Sequence, residues 1–301
     1  MNIQFLKITK IYYLFSFLIV AGAIVCFLVF GLKFGIDFSG GSTIEIEFEN
    51  RPSNQIIQEK LSSLGLEELV IQPLGEKEVI IKTGEITSEM HGNIIAQLRD
   101  LSNLEERGFE NIGPVIGKEL REKTALLVVI SLIALLIYIS VAFRNVSWPL
   151  SSWQYGLISI ITLGFDVLIT IGALAILGRY YNVQFNIPII TALLTILGYT
   201  INDKVIVFDR IRENLLGKRE SNFKELVNKS LNETVLRSLS TGICTLMVLV
   251  AIFVFGGETL RYFSLTLIIG IIAGTYSSLF LAAPLLVTWL NWKNKRAGAR
   301  K

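Results

Sequence analysis

Six apolar runs of about 20 residues, the length an α-helix needs to cross a bilayer, divide this chain and limit it to one broad class. They are Tyr12 to Leu32, Thr124 to Phe143, Trp153 to Leu177, Phe185 to Phe208, Leu236 to Phe255 and Phe263 to Leu290. Inside lipid only helices and closed barrels satisfy every backbone polar group, and apolar runs of this length select helices. Hydrophobic residues make up 52% of the chain, as an integral membrane protein requires. Ala21-Gly22-Ala23 in the first run looks superficially like a signal-peptide cleavage site, but the apolar stretch continues through Phe30, so the run reads as an uncleaved anchor.

The polar stretch Lys33 to Lys123 is long enough to fold as one small domain. The expected organisation is a tail and first helix over 1–32, a domain over 33–123, a bundle of five helices over 124–292 and a basic tail over 293–301. Lys7 and Lys10 precede the first span, and Lys293, Lys295, Arg296, Arg300 and Lys301 follow the last. By the positive-inside rule both termini are cytoplasmic. The loop Asp209 to Glu233, with Arg210, Arg212, Lys218, Arg219, Lys224 and Lys229, falls on the same side and leaves the 33–123 domain outside.

Within that domain, Ser42 to Glu49 alternates Ile44, Ile46 and Phe48 with acids, the period of a half-buried strand. A helix is expected over Asn54 to Leu64, short strands over Leu69 to Gln72 and Val79 to Lys82 with a turn at Pro73 to Lys77, a second helix from Thr87, and a last strand through Phe109 to Ile112. This order suits a small α+β sandwich of ferredoxin-like type, which hosts many functions and names none. His91, the single histidine, reads as a solvated surface residue.

A net charge of +3, with the bases placed where topology needs them, gives nucleic-acid binding no support. Cys26 and Cys244 lie inside spans and suggest neither a disulfide framework nor a metal site. There is no P-loop, Gly-x-Ser-x-Gly or His-Glu-x-x-His motif, so neither an enzyme activity nor a cofactor is expected, and any energy must come from a partner or an ion gradient.

The chemistry sits in the spans. An ionised acid inside a membrane helix costs about 2.5 to 3.5 kcal/mol, so Asp203, next to Asn202 in the fourth span, needs a partner, a proton or a task. Thr191, Thr195, Gly198 and Asn202 form one small, polar stripe; Thr191, Thr195 and Gly198 read as a close helix contact, and Asn202 with Thr241 as a polar face supporting Asp203. Arg237, with Thr241 one turn deeper in the fifth span, is at a depth where it could pair with Asp203; the alternatives are a static packing pair or an arginine reaching to the interface. Asp166 lies near the middle of the third span and is either a proton-exchanging group or a buried, protonated acid. Gly270, Gly274 and Ser278 make a small-residue ridge for helix packing, and Asp209, Arg210, Arg212 and Glu213 a salt-bridged helix end.

Six motifs in order, FGIDFSGGSTIEI at Phe34 to Ile46, IGPVIGKEL at Ile112 to Leu120, GFDVLIT at Gly164 to Thr170, GYTINDKVIVFDRIREN at Gly198 to Asn214, NETVLRSLSTG at Asn232 to Gly242 and FGG at Phe255 to Gly257, resemble the SecF members of the SecD/SecF family. That family belongs to the RND superfamily, and the resemblance covers nearly the whole chain. It implies an RND-like half of six helices in the bacterial inner membrane that pairs with SecD beside the SecYEG channel, with SecA and YajC as further partners and unfolded preproteins as substrate. It implies coupling of proton or sodium flow to late export steps after SecA has acted. By position, Asp203 and Arg237 fall where the family has its ion-coupling groups, and Asp166 in another recurring motif. The competing readings are a structural subunit that stabilises the channel, and an RND-type efflux half-transporter, which the single small exposed domain disfavours.

Overall fold

The structure, a computed structural model, describes residues 3–66, 68–142, 150–217 and 222–298. Phe143 at the expected end of the second span, Lys218 and Arg219 in the basic loop, and Arg300 and Lys301 in the tail lie outside the described residues. The chain divides into two compact units, residues 34–126 and residues 1–33 with 127–301.

The smaller unit is built on the alternation noted above. Strand β1 (Gly41–Phe48) buries Ile44, Ile46 and Phe48 and turns Glu45 and Glu47 to the wet face. It pairs antiparallel with β3 (Glu78–Thr83) and β4 (Leu104–Ile112), while β2 (Val70–Leu74) pairs with β3, giving the order β2-β3-β1-β4. Helices α3 (Asn54–Ser62) and α4 (Ser88–Arg99) cover one face through Ile57, Leu61, Ile94, Ile95 and Leu98. Their starts are fixed by side chains: Ser53 accepts from the Ile56 amide and Thr87 from the Met90 amide. The result is the expected βαββαβ sandwich.

Three local expectations change. Pro73 lies inside β2 rather than in a turn, which an edge strand tolerates because no ladder hydrogen bond is lost. β4 begins at Leu104, well before Phe109, because a bulge opposite Glu45 and Ile46 breaks the alternation that marks a strand. His91 is half-buried rather than solvated: its ring stacks on Phe109 with centroids 4.1 Å apart, and Nε2 lies 3.1 Å from Glu106 Oε1. A short helix, α2 (Ile36–Ser39), precedes β1, and the chain enters the strand through Gly40 (φ +79°) and Gly41 (φ +129°). A Cβ on Gly41 would stand 2.7 Å from the Thr83 carbonyl oxygen, so both the backbone angle and the space demand glycine.

The larger unit holds α1 (Thr9–Phe30), residues 127–142 of α5 (Pro114–Ala142), α6 (Ser152–Tyr181), α7 (Ile187–Gly217), α8 (Phe223–Phe255), α9 (Glu258–Ser277) and α10 (Ala283–Gly298). A π-helical segment, Ser278–Ala282, joins the last two, so that among the described residues six stretches are long and apolar enough to cross a membrane. The α7 and α8 helices run far beyond the expected spans; the segment Asp209 to Glu233 is largely helix, not loop. Polar pairs hold these extensions together: Arg210 donates to Glu233 at 2.7 Å and to Glu213 at 2.6 Å, and Asn214 Nδ2 to Ser230 Oγ at 2.9 Å. Just before α1, Asn232 receives the Ile3 amide and returns a hydrogen bond to its carbonyl, both at 2.8 Å.

Small residues set how closely the helices approach. A Cβ on Gly172 of α6 would come within 2.6 Å of Ala23 Cα on α1. On α9, a Cβ at Gly270 would overlap the Ile196 side chain and one at Gly274 would overlap Thr200, both on α7. The expected packing role of Gly270 and Gly274 is therefore met by α7, whereas Gly198 faces open space.

Candidate functional site

Where α6, α7 and α9 meet, three charged side chains are shut off from solvent: Asp166 and Lys204 are 0% exposed and Asp203 is 2% exposed. The close α7–α9 contact at Gly274 makes this possible, since a Cβ there would also stand only 3.6 Å from Asp166 Oδ2. Lys204 Nζ, reaching from α7, lies 2.7 Å from Asp166 Oδ2 on α6 and 3.4 Å from the Thr200 carbonyl oxygen. In a medium of low dielectric such a pair holds only because each charge answers the other. Ser277 and Thr200 place hydroxyls beside Asp166, and Thr275 of α9 lies beside Asp203. Asp166 Oδ1, Thr200 Oγ1 and Asp203 Oδ2 are nevertheless buried without a hydrogen-bond partner.

The arrangement corrects the expected electrostatics. Asp203 does not pair with Arg237, which is exposed on α8 and is in no ion pair among the described residues. The helix α8 turns Ser238 and Gly242 inward instead, and a Cβ on Gly242 would be 3.4 Å from Thr275 Oγ1. The base at this depth is Lys204, which the sequence places directly after Asp203 but which resembles the start of the charged helix end at Asp209. Its signal was the sequence Asp-Lys inside an unbroken apolar helix, with Asp166 available on the preceding one.

The remaining residues separate cleanly. Asn202 and the stripe Thr191, Thr195 and Gly198 are exposed on α7, and Arg237, Ser240 and Thr241 on α8. Among the described residues no helix covers them, so there the stripe is not a packing contact. The Thr191, Thr195 and Thr241 hydroxyls are satisfied locally, each donating to the carbonyl four residues earlier at 2.7 to 3.0 Å. The exposed side chains of α7 and α8 thus include an Asn, an Arg and several hydroxyls, while Asp203, next to Asn202, is buried.

The SecD/SecF C-terminal family of protein export membrane proteins matches residues 93–292, and the SecD/SecF GG motif matches residues 27–50, which include Gly40 and Gly41. The protein translocase subunit SecF of Thermobaculum terrenum is 37% identical over 93% of this chain and 92% of its own length. That of Rickettsia conorii is 35% identical over 98% and 94%. The crystal structure of SecDF from Thermus thermophilus, a translocon-associated membrane protein, superposes with a TM-score of 0.85 at 33% identity. That match covers 97% of this chain, which spans 39% of the SecDF chain. A multi-pass membrane protein with six such helices, an antiparallel sheet domain after the first and SecF relatives along nearly its full length, this chain belongs to the SecD/SecF family.

Proposed function

We propose that the chain is a SecF-type accessory subunit of the Sec preprotein translocase that, with SecD, couples proton or sodium flow across the bacterial inner membrane to late steps of export after SecA-driven translocation. Both termini and the α7–α8 connection are cytoplasmic in this reading, on the strength of their lysines and arginines, and the sheet domain is outside. SecYEG, SecA and YajC are its further partners and unfolded preproteins its substrate.

The observation that carries it is Asp203, a buried acid with an unpartnered oxygen, set between a self-neutralised Asp166–Lys204 pair and an exposed polar helix face. Lipid is a poor environment for Arg237 and Asn202, so that face calls for a second membrane half, supplied by SecD. Covered by SecD, Asp203 and Arg237 would line the junction of the two halves, with Asn202 and Thr241 extending the polar path. A unit charge crossing the membrane yields about 2.3 kcal/mol per 100 mV. That biases a two-state arrangement by tens of fold, enough to swing a domain if the states are nearly balanced. Asp203→Asn should abolish gradient-dependent stimulation of export while the complex still assembles; retained stimulation would leave a structural subunit as the better description.

A further inference from the structure

Asp166 is the more deeply buried acid, yet its charge is already answered from within the chain. The Lys204 ammonium sits where a bound metal cation would sit, held by Asp166 Oδ2 at 2.7 Å and the Thr200 carbonyl oxygen at 3.4 Å. In the same buried cluster Asp166 Oδ1, Thr200 Oγ1 and Asp203 Oδ2 have no partner at full hydrogen-bond geometry, with the Thr200 and Ser277 hydroxyls beside Asp166 and the Thr275 hydroxyl beside Asp203. Hard oxygen donors of this kind suit an alkali cation by their chemistry, and the ammonium holds the place beside Asp166 Oδ2.

We propose that Lys204 is a resident cation that determines ion specificity: it occupies the Asp166 site, excludes sodium from the cluster, and leaves Asp203 as the exchanging group, so that the ion carried is a proton. This rests on the reading of Asp203 as the coupling group and narrows it. Charge bookkeeping supports the choice. Asp166 and Lys204 cancel, so a proton on Asp203 brings the buried cluster to neutrality, and its release leaves one negative charge. A sodium ion at Asp203 would need several ligands as well as a place beside the ammonium on the next residue. A further polar group beside the acid is the Thr275 hydroxyl. A proton needs no cage.

The test compares the full-length wild-type chain, Lys204→Met and the double variant Asp166→Asn/Lys204→Met, purified in detergent. Binding of radioactive sodium and the shift in melting temperature are followed on titration with sodium chloride, against choline chloride at equal ionic strength. The wild-type chain should bind no sodium and show no sodium-specific shift. Removing the ammonium exposes the oxygens of Asp166, so Lys204→Met should gain saturable sodium binding and a melting temperature that climbs with sodium concentration. The double variant should lose both. Saturable sodium binding by the wild-type chain, or a folded Lys204→Met chain indifferent to sodium, overturns the proposal. If Lys204→Met cannot be recovered folded, the wild-type arm decides alone: sodium binding overturns the proposal and its absence upholds it. None of these outcomes depends on export, so a failure of ion coupling itself would appear separately, as unchanged export in Asp203→Asn.

Discussion

Lys204 Nζ lies 2.7 Å from Asp166 Oδ2 with both side chains wholly buried, so that a membrane helix carries the counter-ion of its neighbour one residue from Asp203, a buried acid in no ion pair among the described residues. Breaking such a pair on one side is costly because it strands the other charge. Lys204→Met should destabilise the chain by about 3 to 5 kcal/mol, and adding Asp166→Asn should recover most of the loss. Thermal unfolding of the three chains in the same detergent without sodium checks the order; a double variant less stable than Lys204→Met would contradict it.

The α7–α9 contact makes a paired prediction about glycines. Gly274→Ala drives a methyl into Thr200 and toward Asp166 and should cost about 1 to 3 kcal/mol. Gly198→Ala, whose Cβ meets open space, should be neutral or stabilise the isolated helix bundle by up to about 1 kcal/mol. Equal effects on the melting temperature would refute the packing described.

In the sheet domain, burial raises the pKa of Glu45, and the charges of Glu110 and Glu78 push it further, with Lys82 opposing. The folded form therefore holds this proton more tightly than the unfolded form. Its contribution is most favourable below the unfolded pKa and is lost as pH rises through the folded one. Glu45→Gln should slow amide exchange in β1 relative to wild type at neutral pH, with the difference fading in acid. A protective effect that grew toward acid pH would reverse the sign.

The exposed α7–α8 face should change environment on assembly. Cysteines placed at Thr195 and Ser240 should react with a thiol reagent in the isolated chain and become protected in the SecD complex, whereas a cysteine at Leu28 on α1 should stay reactive in both. Unchanged labelling at the first two positions would move the docking surface elsewhere.

Much of this was legible in the sequence, for physical reasons that also mark the limits. Long apolar runs reveal the six spans, and the alternation of Ile44, Ile46 and Phe48 reveals β1, because both periods follow directly from backbone geometry. The α7 and α8 extensions were obscured because a helix leaving a membrane keeps its hydrogen bonds but loses its apolar signature. The site was half visible. Asp166 and Asp203 stand out as acids in apolar surroundings, but which base answers them depends on helix rotation: α8 turns Ser238 inward and Arg237 outward, while Lys204 is drawn in under Gly274. Depth along a helix can be read from sequence; the side toward which an isolated arginine points depends on how neighbouring helices pack.

The most direct test of ion coupling is the current through the chain reconstituted with SecD in vesicles, comparing wild type with Asp203→Asn under an imposed proton gradient. A proton current in the wild type that vanishes in an assembled Asp203→Asn complex is the expected result. Equal currents in both, or none in either, would contradict the coupling role and leave Asp203 a residue of helix packing.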